Sequence, residues 1–157
     1  MSTRAAGVRL LVAGGAFAAL SSCAHLVILH DPLSAVEHND LGVAYEAGGQ
    51  PGLAAREYHR ALHMDAHQAR ARVNLGNADA ARGRWHAAEK SYRRALRDSS
   101  NDGDAMNNLA IALLRRDRKP QQARAWAEHA VTVGGGRDSV YRATLAEVDA
   151  RGQGGPR

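Results

Sequence analysis

The residues best suited to chemistry in this 157-residue sequence are one cysteine and a row of three histidines. Cys23 is the only thiol, so the chain cannot form an internal disulfide or a multi-cysteine metal site. His59, His63 and His67 follow one another at intervals of four residues, with Asp65 between the last two. Two histidines four residues apart on one helix can chelate a metal ion. A metal-binding protein that uses His59 and His63 is therefore one hypothesis.

The residues around these histidines favour another interpretation, in which the histidines are exposed to solvent and bind no metal. His59 and His63 flank Tyr58 and Ala61, which fall on one predicted buried face, so both histidines should lie on the outer surface of their helix. His67 lies beyond the expected end of that helix. We therefore expect a solvated polar face, with no metal and no cofactor. Phosphate-binding loops, GxSxG, HExxH and GxGxxG are also absent, so we expect neither an enzyme nor a small-molecule substrate.

The residues that precede Cys23 give the cysteine another role. Arg4 and Arg9 are followed by an uncharged segment, 10–20, which is too short to span a bilayer. A charged start, a short apolar segment and small residues after it are the parts of a secretory signal peptide. The last four residues, LSSC at 20–23, resemble the bacterial lipoprotein signal, in which a leucine and two small residues precede the cysteine that is acylated.

This resemblance implies a signal peptide at 1–22 that is cleaved before Cys23, and palmitate-type acyl chains that anchor Cys23 to a membrane. Ala24, rather than an aspartate, follows the cysteine, which favours the periplasmic face of the outer membrane. Residues 23–33 would then form a lipid-anchored linker. The apolar segment 24–30 either packs on the following domain or lies at the lipid interface. The alternative is a short buried helix with a core cysteine.

The charge of the chain does not identify a nucleic-acid partner. The formal net charge is +5, and the basic residues are almost all arginines spread along the sequence. Removal of residues 1–22 takes away two arginines and leaves 19 basic residues against 16 acidic ones. Because no basic block with interleaved aromatic residues is present, we expect a solvated basic surface and no nucleic acid.

A period of 34 residues runs through the middle of the chain. The matching positions are Leu41 and Leu75, Gly42 and Gly76, Ala54 and Ala88, Tyr58 and Tyr92, and Ala61 and Ala95. Their period and order resemble the tetratricopeptide repeat (TPR), a helix–turn–helix unit that stacks into solenoids. The resemblance predicts an all-α TPR helix–turn–helix solenoid with three repeats and a C-terminal capping helix.

The repeat pattern also predicts the boundaries of the TPR domain, which we place at 34–151. The repeats are expected at 35–68, 69–102 and 103–136, the capping helix at 137–151, and a disordered tail at 152–157. Within the repeats, the expected helices are 34–47, 51–63, 69–81, 85–97, 104–116 and 120–133. Ser34 and Glu37 form a possible capping box at the start of the first helix.

Two positions depart from the repeat pattern. The third repeat contains one additional residue, which we place near 118–120. In the second repeat, Asp79 takes the position that Tyr45 holds in the first. A buried carboxylate without a partner is costly, so Asp79 should turn to solvent or pair with a nearby arginine such as Arg82.

Members of the TPR family bind proteins in a groove lined by the first helix of each repeat. The groove positions of this sequence are Asn39, Val43, Arg70, Val73, Asn74, Asn77, Asn107, Asn108 and Ile111. Asparagine can donate to and accept from a peptide backbone, and the apolar positions can receive side chains. The alternative is that Asn74 and Asn108 serve the turns and the helix packing of the repeats themselves.

Some family members clamp a C-terminal carboxylate with lysine and arginine around one asparagine. Asn74 fits that asparagine, but Asn39, Val43, Asp104 and Asn108 occupy the other four places, so we do not expect this ligand class. The resemblances together predict a lipid-anchored periplasmic scaffold that binds a partner protein or peptide, in the assembly of envelope machinery.

Overall fold

A computed structural model describes residues 31–117 and 119–153, which form seven α-helices and no strand. The helices are α1 (Ala35–Ala47), α2 (Pro51–Met64), α3 (Ala69–Ala81), α4 (Trp85–Asp98), α5 (Gly103–Arg115), α6 (Pro120–Val133) and α7 (Asp138–Gln153). The predicted signal peptide, Cys23, segment 24–30 and the end of the predicted tail, 154–157, lie outside the described residues. Among the described helices, none has the length and apolar character that crossing a membrane requires.

The helix boundaries follow from local sequence signals. At the start of α1, the Ser34 hydroxyl accepts from the Glu37 backbone N–H at 3.3 Å, and the Glu37 carboxylate accepts from the Ser34 N–H at 2.8 Å. Pro51 and Pro120 each occupy the first position of a helix, where no backbone donor is needed. All six helices of the repeats begin and end within one residue of their predicted positions, whereas α7 continues two residues beyond its predicted end.

The helices stack as three pairs and a final cap. α1 packs on α2, α3 on α4 and α5 on α6, and each pair packs on the next through α2 with α3 and α4 with α5. α7 packs on α6 and α5, and it buries Tyr141, Thr144 and Val148 against them. A terminal helix of this kind covers the apolar face that the last repeat would otherwise expose.

Within the first two repeats, each helix pair crosses where a glycine lies under a tyrosine ring. A Cβ added to Gly42 would stand 2.4 Å from Cε1 of Tyr58, and one added to Gly76 would stand 2.4 Å from Cε1 of Tyr92. Both tyrosines are buried, so neither ring has space into which to move. The small residues at these crossings are therefore required by the close approach of the helix backbones.

The third repeat accommodates its additional residue in the turn before α6. Asp117 and Lys119 both adopt positive φ angles, 49° and 55°, and Lys119 is the residue that precedes α6. In the first two repeats, the corresponding turns contain Gly49 and Gly83, with φ angles of 69° and 71°. The insertion does not disturb the packing of α6, whose Ala123, Ala127 and Ala130 are fully buried.

Asp79 pairs with a nearby arginine, as predicted, but that arginine is Arg84 and not the Arg82 named as an example. Asp79 is only 4% exposed and accepts hydrogen bonds from the guanidinium of Arg84, with the Arg84 Nε at 3.1 Å, rather than from Arg82. The chain turns back at Gly83, and the Arg84 backbone N–H donates to the Asp79 carbonyl at 2.9 Å. This turn brings the Arg84 side chain alongside the carboxylate.

The glycine–tyrosine crossing gives a test of the packing. Gly42→Ala should lower the free energy of unfolding by about 1–3 kcal/mol, because the new methyl group overlaps a buried ring. Gly52→Ala is the matched control: a Cβ at Gly52, in the first turn of α2, meets no atom within 4 Å. It should leave stability unchanged or raise it by up to about 1 kcal/mol. Chemical denaturation measures both, and equal effects of the two substitutions would contradict the crossing geometry.

Candidate functional site

A concave recess of about 480 Å³ lies between α3 and α5. Its lining consists of Ala69, Arg70, Val73, Asn74 and Asn77 of α3, Ser99, Asp102, Asp104, Asn108 and Arg137. Five of the nine predicted groove residues therefore meet in one place, all of them on the first helices of the second and third repeats. We call this recess the groove.

The other four predicted groove residues do not line this recess. Val43 stands on α1 and is 46% exposed, whereas Asn39 is only 4% exposed and Asn107 only 2% exposed. Ile111 is half-buried on α5. Asn39 and Asn107 thus lie inside the packed solenoid, where a ligand in the groove does not reach them.

Asparagine side chains connect the first helices of neighbouring repeats. The Asn74 Nδ2 donates to Asn39 Oδ1 at 2.9 Å, which joins α3 to α1. The Asn108 Nδ2 donates to Asn77 Oδ1 at 2.9 Å, which joins α5 to α3. The same Asn77 oxygen accepts from the Tyr92 hydroxyl at 2.9 Å. Asn74 and Asn108 therefore do have a structural role in packing, as the alternative prediction proposed.

One end of each α3 amide is left for a ligand. Within the described residues, neither Asn74 Oδ1 nor Asn77 Nδ2 makes a hydrogen bond. These atoms are one acceptor and one donor, three residues apart on α3, and a peptide unit carries the complementary N–H and C=O. Asn74 Oδ1 and Asn77 Nδ2 can thus form hydrogen bonds with the main chain of a peptide, while the other amide atom of each residue bonds to a neighbouring repeat.

The charged side chains of the groove differ in whether they already have a hydrogen-bond or ion-pair partner. The Asp104 carboxylate accepts from the Tyr141 hydroxyl at 2.9 Å and pairs with the Arg137 guanidinium at 3.1 Å. Asp102 caps α5 by accepting from the Ala105 N–H at 2.9 Å. Arg70 is exposed and makes no ion pair among the described residues. Arg70 is therefore the groove cation that is available to an acidic group of a ligand.

Two tyrosine hydroxyls at the groove are held in their protonated form. Burial, and then the negative charges of Glu46 and Asp79, raise the pKa of Tyr92 far above its usual value. Burial and the hydrogen bond to Asp104 raise the pKa of Tyr141 to about 12. Each hydroxyl donates to one groove residue, Tyr92 to Asn77 and Tyr141 to Asp104, and so helps to orient that side chain.

The histidines that raised the metal hypothesis lie elsewhere. His59 and His63 are exposed and line a separate recess of about 380 Å³ together with Arg72 and Arg94. The Nδ1 of His67 instead lies 3.1 Å from an oxygen of Asp98. No group of three or more potential ligands among His, Cys, Asp and Glu is found in the described residues. The two arginines place positive charge where a metal ion would need negative charge.

Besides Ala69, at the start of α3, sequence reasoning did not identify three groove residues that lie outside the first helices. Ser99 and Asp102 lie in the turn between α4 and α5, and Arg137 precedes α7, so none of them falls on a first helix. A signal was present for Asp102, because an aspartate before a helical segment is a typical N-cap. No pattern in the sequence placed Arg137 beside Asp104, since that contact depends on how α7 packs.

Comparison with known proteins identifies the fold. A family model described as tetratricopeptide repeat matches residues 73–138. No curated protein sequence matches the chain. Among solved structures, the first TPR of Spaghetti (RPAP3), bound to the HSP90 peptide SRMEEVD, is similar with a TM-score of 0.71 at 16% identity, over 79% of this chain and 97% of that one.

Two further structures give the same result. The Sgt2 TPR domain from Aspergillus fumigatus has a TM-score of 0.70 at 18% identity, over 76% of this chain and 79% of its own. The type III secretion chaperone SycD from Yersinia enterocolitica, in complex with a peptide of the translocator YopD, has a TM-score of 0.67 at 15% identity, over 74% and 92%. These likenesses confirm the predicted all-α TPR solenoid.

The link between Tyr92 and Asn77 can be tested by a double-mutant cycle. Asn77→Ala should cost about 1–3 kcal/mol of stability, because it leaves the buried Tyr92 hydroxyl without its acceptor. Tyr92→Phe should then cost much less in the Asn77→Ala background than in the wild type. Tyr58→Phe is the control, since the Tyr58 hydroxyl donates to Glu46 in another repeat. Additive costs for Asn77 and Tyr92 in denaturation curves would show that the two are not coupled.

Proposed function

We propose that this all-α TPR solenoid is a non-catalytic scaffold that holds an extended segment of a partner protein in the groove between α3 and α5. The observation that carries the proposal is that Asn74 Oδ1, Asn77 Nδ2 and the guanidinium of Arg70 lie together in the groove with no hydrogen bond or ion pair to the described residues. An extended peptide presents alternating donors and acceptors with freely variable side chains, so it matches this arrangement better than a compact small molecule does.

The groove offers little apolar surface to a ligand. Val73 is 8% exposed and belongs to the hydrophobic core, so it forms part of the floor of the groove. Ala69 lines the groove one turn before Val73. The partner segment is therefore held mainly through its backbone and its polar side chains, and not by a large apolar anchor.

The charges favour an internal segment over a chain terminus. Asp104 occupies one of the places where carboxylate-binding members of the family carry a basic residue, and it is already paired with Arg137. The structural neighbour RPAP3 is bound to the peptide SRMEEVD, which supports a peptide as the ligand of this groove. In this chain the only unpaired groove cation among the described residues is Arg70, which favours one acidic side chain near the start of α3.

The second part of the proposal concerns location, and it is supported by the sequence alone. The LSSC segment at 20–23, with its upstream charges and apolar run, supports cleavage after residue 22 and acylation of Cys23. Several acyl chains make a durable membrane anchor. Ala24 supports the periplasmic face of the outer membrane, where the scaffold would serve the assembly of envelope machinery.

The groove is tested best through Arg70, because substitutions at its amides also weaken the solenoid. Peptides selected from a random library against the full-length chain should bind at least about tenfold more weakly to Arg70→Glu, which converts an attraction into a repulsion. Arg82→Glu is the matched control: it makes the same charge change at an exposed arginine outside the groove.

Resonances of Asn74 and Asn77 should shift when these peptides are added. The proposal fails if the selected peptides bind both variants equally, or if the resonances that shift lie away from α3 and α5.

The anchor is tested by the intact mass of protein extracted from membranes. The mass should show loss of residues 1–22 and addition of acyl chains, and Cys23→Ser should abolish both, because the sulfur is the attachment point. Ser21→Ala is the control, since it keeps a small residue in the signal. Ala24→Asp should move the protein from outer-membrane to inner-membrane fractions. An uncleaved, unacylated wild-type chain would show that the anchor is wrong.

A further inference from the structure

The outer face of α4 gathers basic side chains that are dispersed in the sequence. Lys90, Arg94 and Arg97 line a recess of about 350 Å³ that shares no residue with the groove. Their spacing of four and then three residues places them on one face of the helix. The opposite face carries the buried Ala88 and Tyr92. We call this second site the basic recess.

The basic recess contains one acidic side chain, Glu89, which already forms ion pairs. The Glu89 carboxylate accepts from Arg93 Nε at 2.9 Å and also pairs with Arg116. Burial alone would raise the pKa of Glu89, but the hydrogen bonds from Arg93 and Arg116 outweigh it and hold the pKa below its usual value. Glu89 therefore stays ionised and remains committed to these two arginines.

Within the part of the chain that the structure describes, Lys90, Arg94 and Arg97 of the basic recess have no acidic partner. Among the described residues, neither Lys90 nor Arg94 makes an ion pair, and Arg97 donates only to the Arg93 backbone carbonyl, at 3.3 Å. Like charges that line one concave space repel each other, and an anion that enters this space removes the repulsion. The charge excess and the concave shape are two separate features that favour the same kind of ligand.

The types of side chain indicate which anion fits. Guanidinium groups bind oxyanions through paired N–H donors, and a lysine adds a point charge. A tetrahedral phosphate presents more acceptor oxygens than a carboxylate, so it can engage Lys90, Arg94 and Arg97 at the same time. We propose that the basic recess binds a phosphate group, carried either by a soluble phosphate compound or by the headgroup of an anionic phospholipid. This inference does not depend on the proposed function of the groove.

The test uses the full-length chain and two phosphate probes. Inorganic pyrophosphate is titrated by calorimetry, and vesicles of phosphatidylglycerol in phosphatidylcholine are used in co-sedimentation. Pure phosphatidylcholine vesicles measure the binding made by the rest of the chain. The variant Lys90→Gln/Arg94→Gln/Arg97→Gln should reduce binding by at least about tenfold, because each basic residue near an anionic surface contributes to affinity.

The control variant is Arg82→Gln/Arg142→Gln/Arg151→Gln, which removes three exposed charges that do not line the basic recess. Binding that is lost only in the recess variant supports the proposal, and the probe that binds identifies the source of the phosphate. Equal losses in both variants, or no binding of either probe above the phosphatidylcholine level, would overturn it. Circular dichroism verifies the fold, and single Arg94→Gln is measured in parallel in case the triple variant unfolds.

Discussion

The contact between a tyrosine ring and a glycine backbone controls both the core and the groove of this protein. Where the Tyr92 ring lies against Gly76, the two helices of the second repeat approach closely, and the hydroxyl emerges on the groove side of α3. The hydroxyl then orients Asn77. A buried ring that cannot move thus holds a polar atom at a fixed place in the groove, so packing and the geometry of the groove are coupled through one side chain.

In the third repeat, a tyrosine hydroxyl again orients a groove residue, but this tyrosine comes from a different helix. At the positions that correspond to Gly76 and Tyr92 the repeat has Ala110 and Ala127, both fully buried, and a tyrosine comes instead from the capping helix. A Cβ on Gly103 would lie 3.0 Å from the Tyr141 hydroxyl, which donates to Asp104. α7 therefore does more than cover an apolar face, because it supplies the side chain that fixes the far end of the groove.

The repeat period predicted the helices closely because glycine, alanine and tyrosine positions act within a single helix pair. It predicted side-chain partners less well. The partner of Asp79 is Arg84 rather than Arg82 because the chain reverses at Gly83, a tertiary detail that the period does not contain. Asn39 is buried because the next repeat covers it. The basic recess was not predicted because its basic residues are dispersed along the sequence, and they come together only on one face of α4.

The stability of the solenoid and the proposed recognition depend on the same asparagines of the groove. A side-chain amide has a donor nitrogen and an acceptor oxygen. In Asn74 the nitrogen bonds to the neighbouring repeat and the oxygen has no partner among the described residues, whereas in Asn77 the oxygen bonds and the nitrogen has no such partner. Replacing either amide therefore removes an inter-repeat hydrogen bond together with a polar atom of the groove. Arg70 has no such structural duty among the described residues. Changes at the amides are consequently constrained by the stability of the stack, whereas a change at Arg70 breaks no ion pair among the described residues.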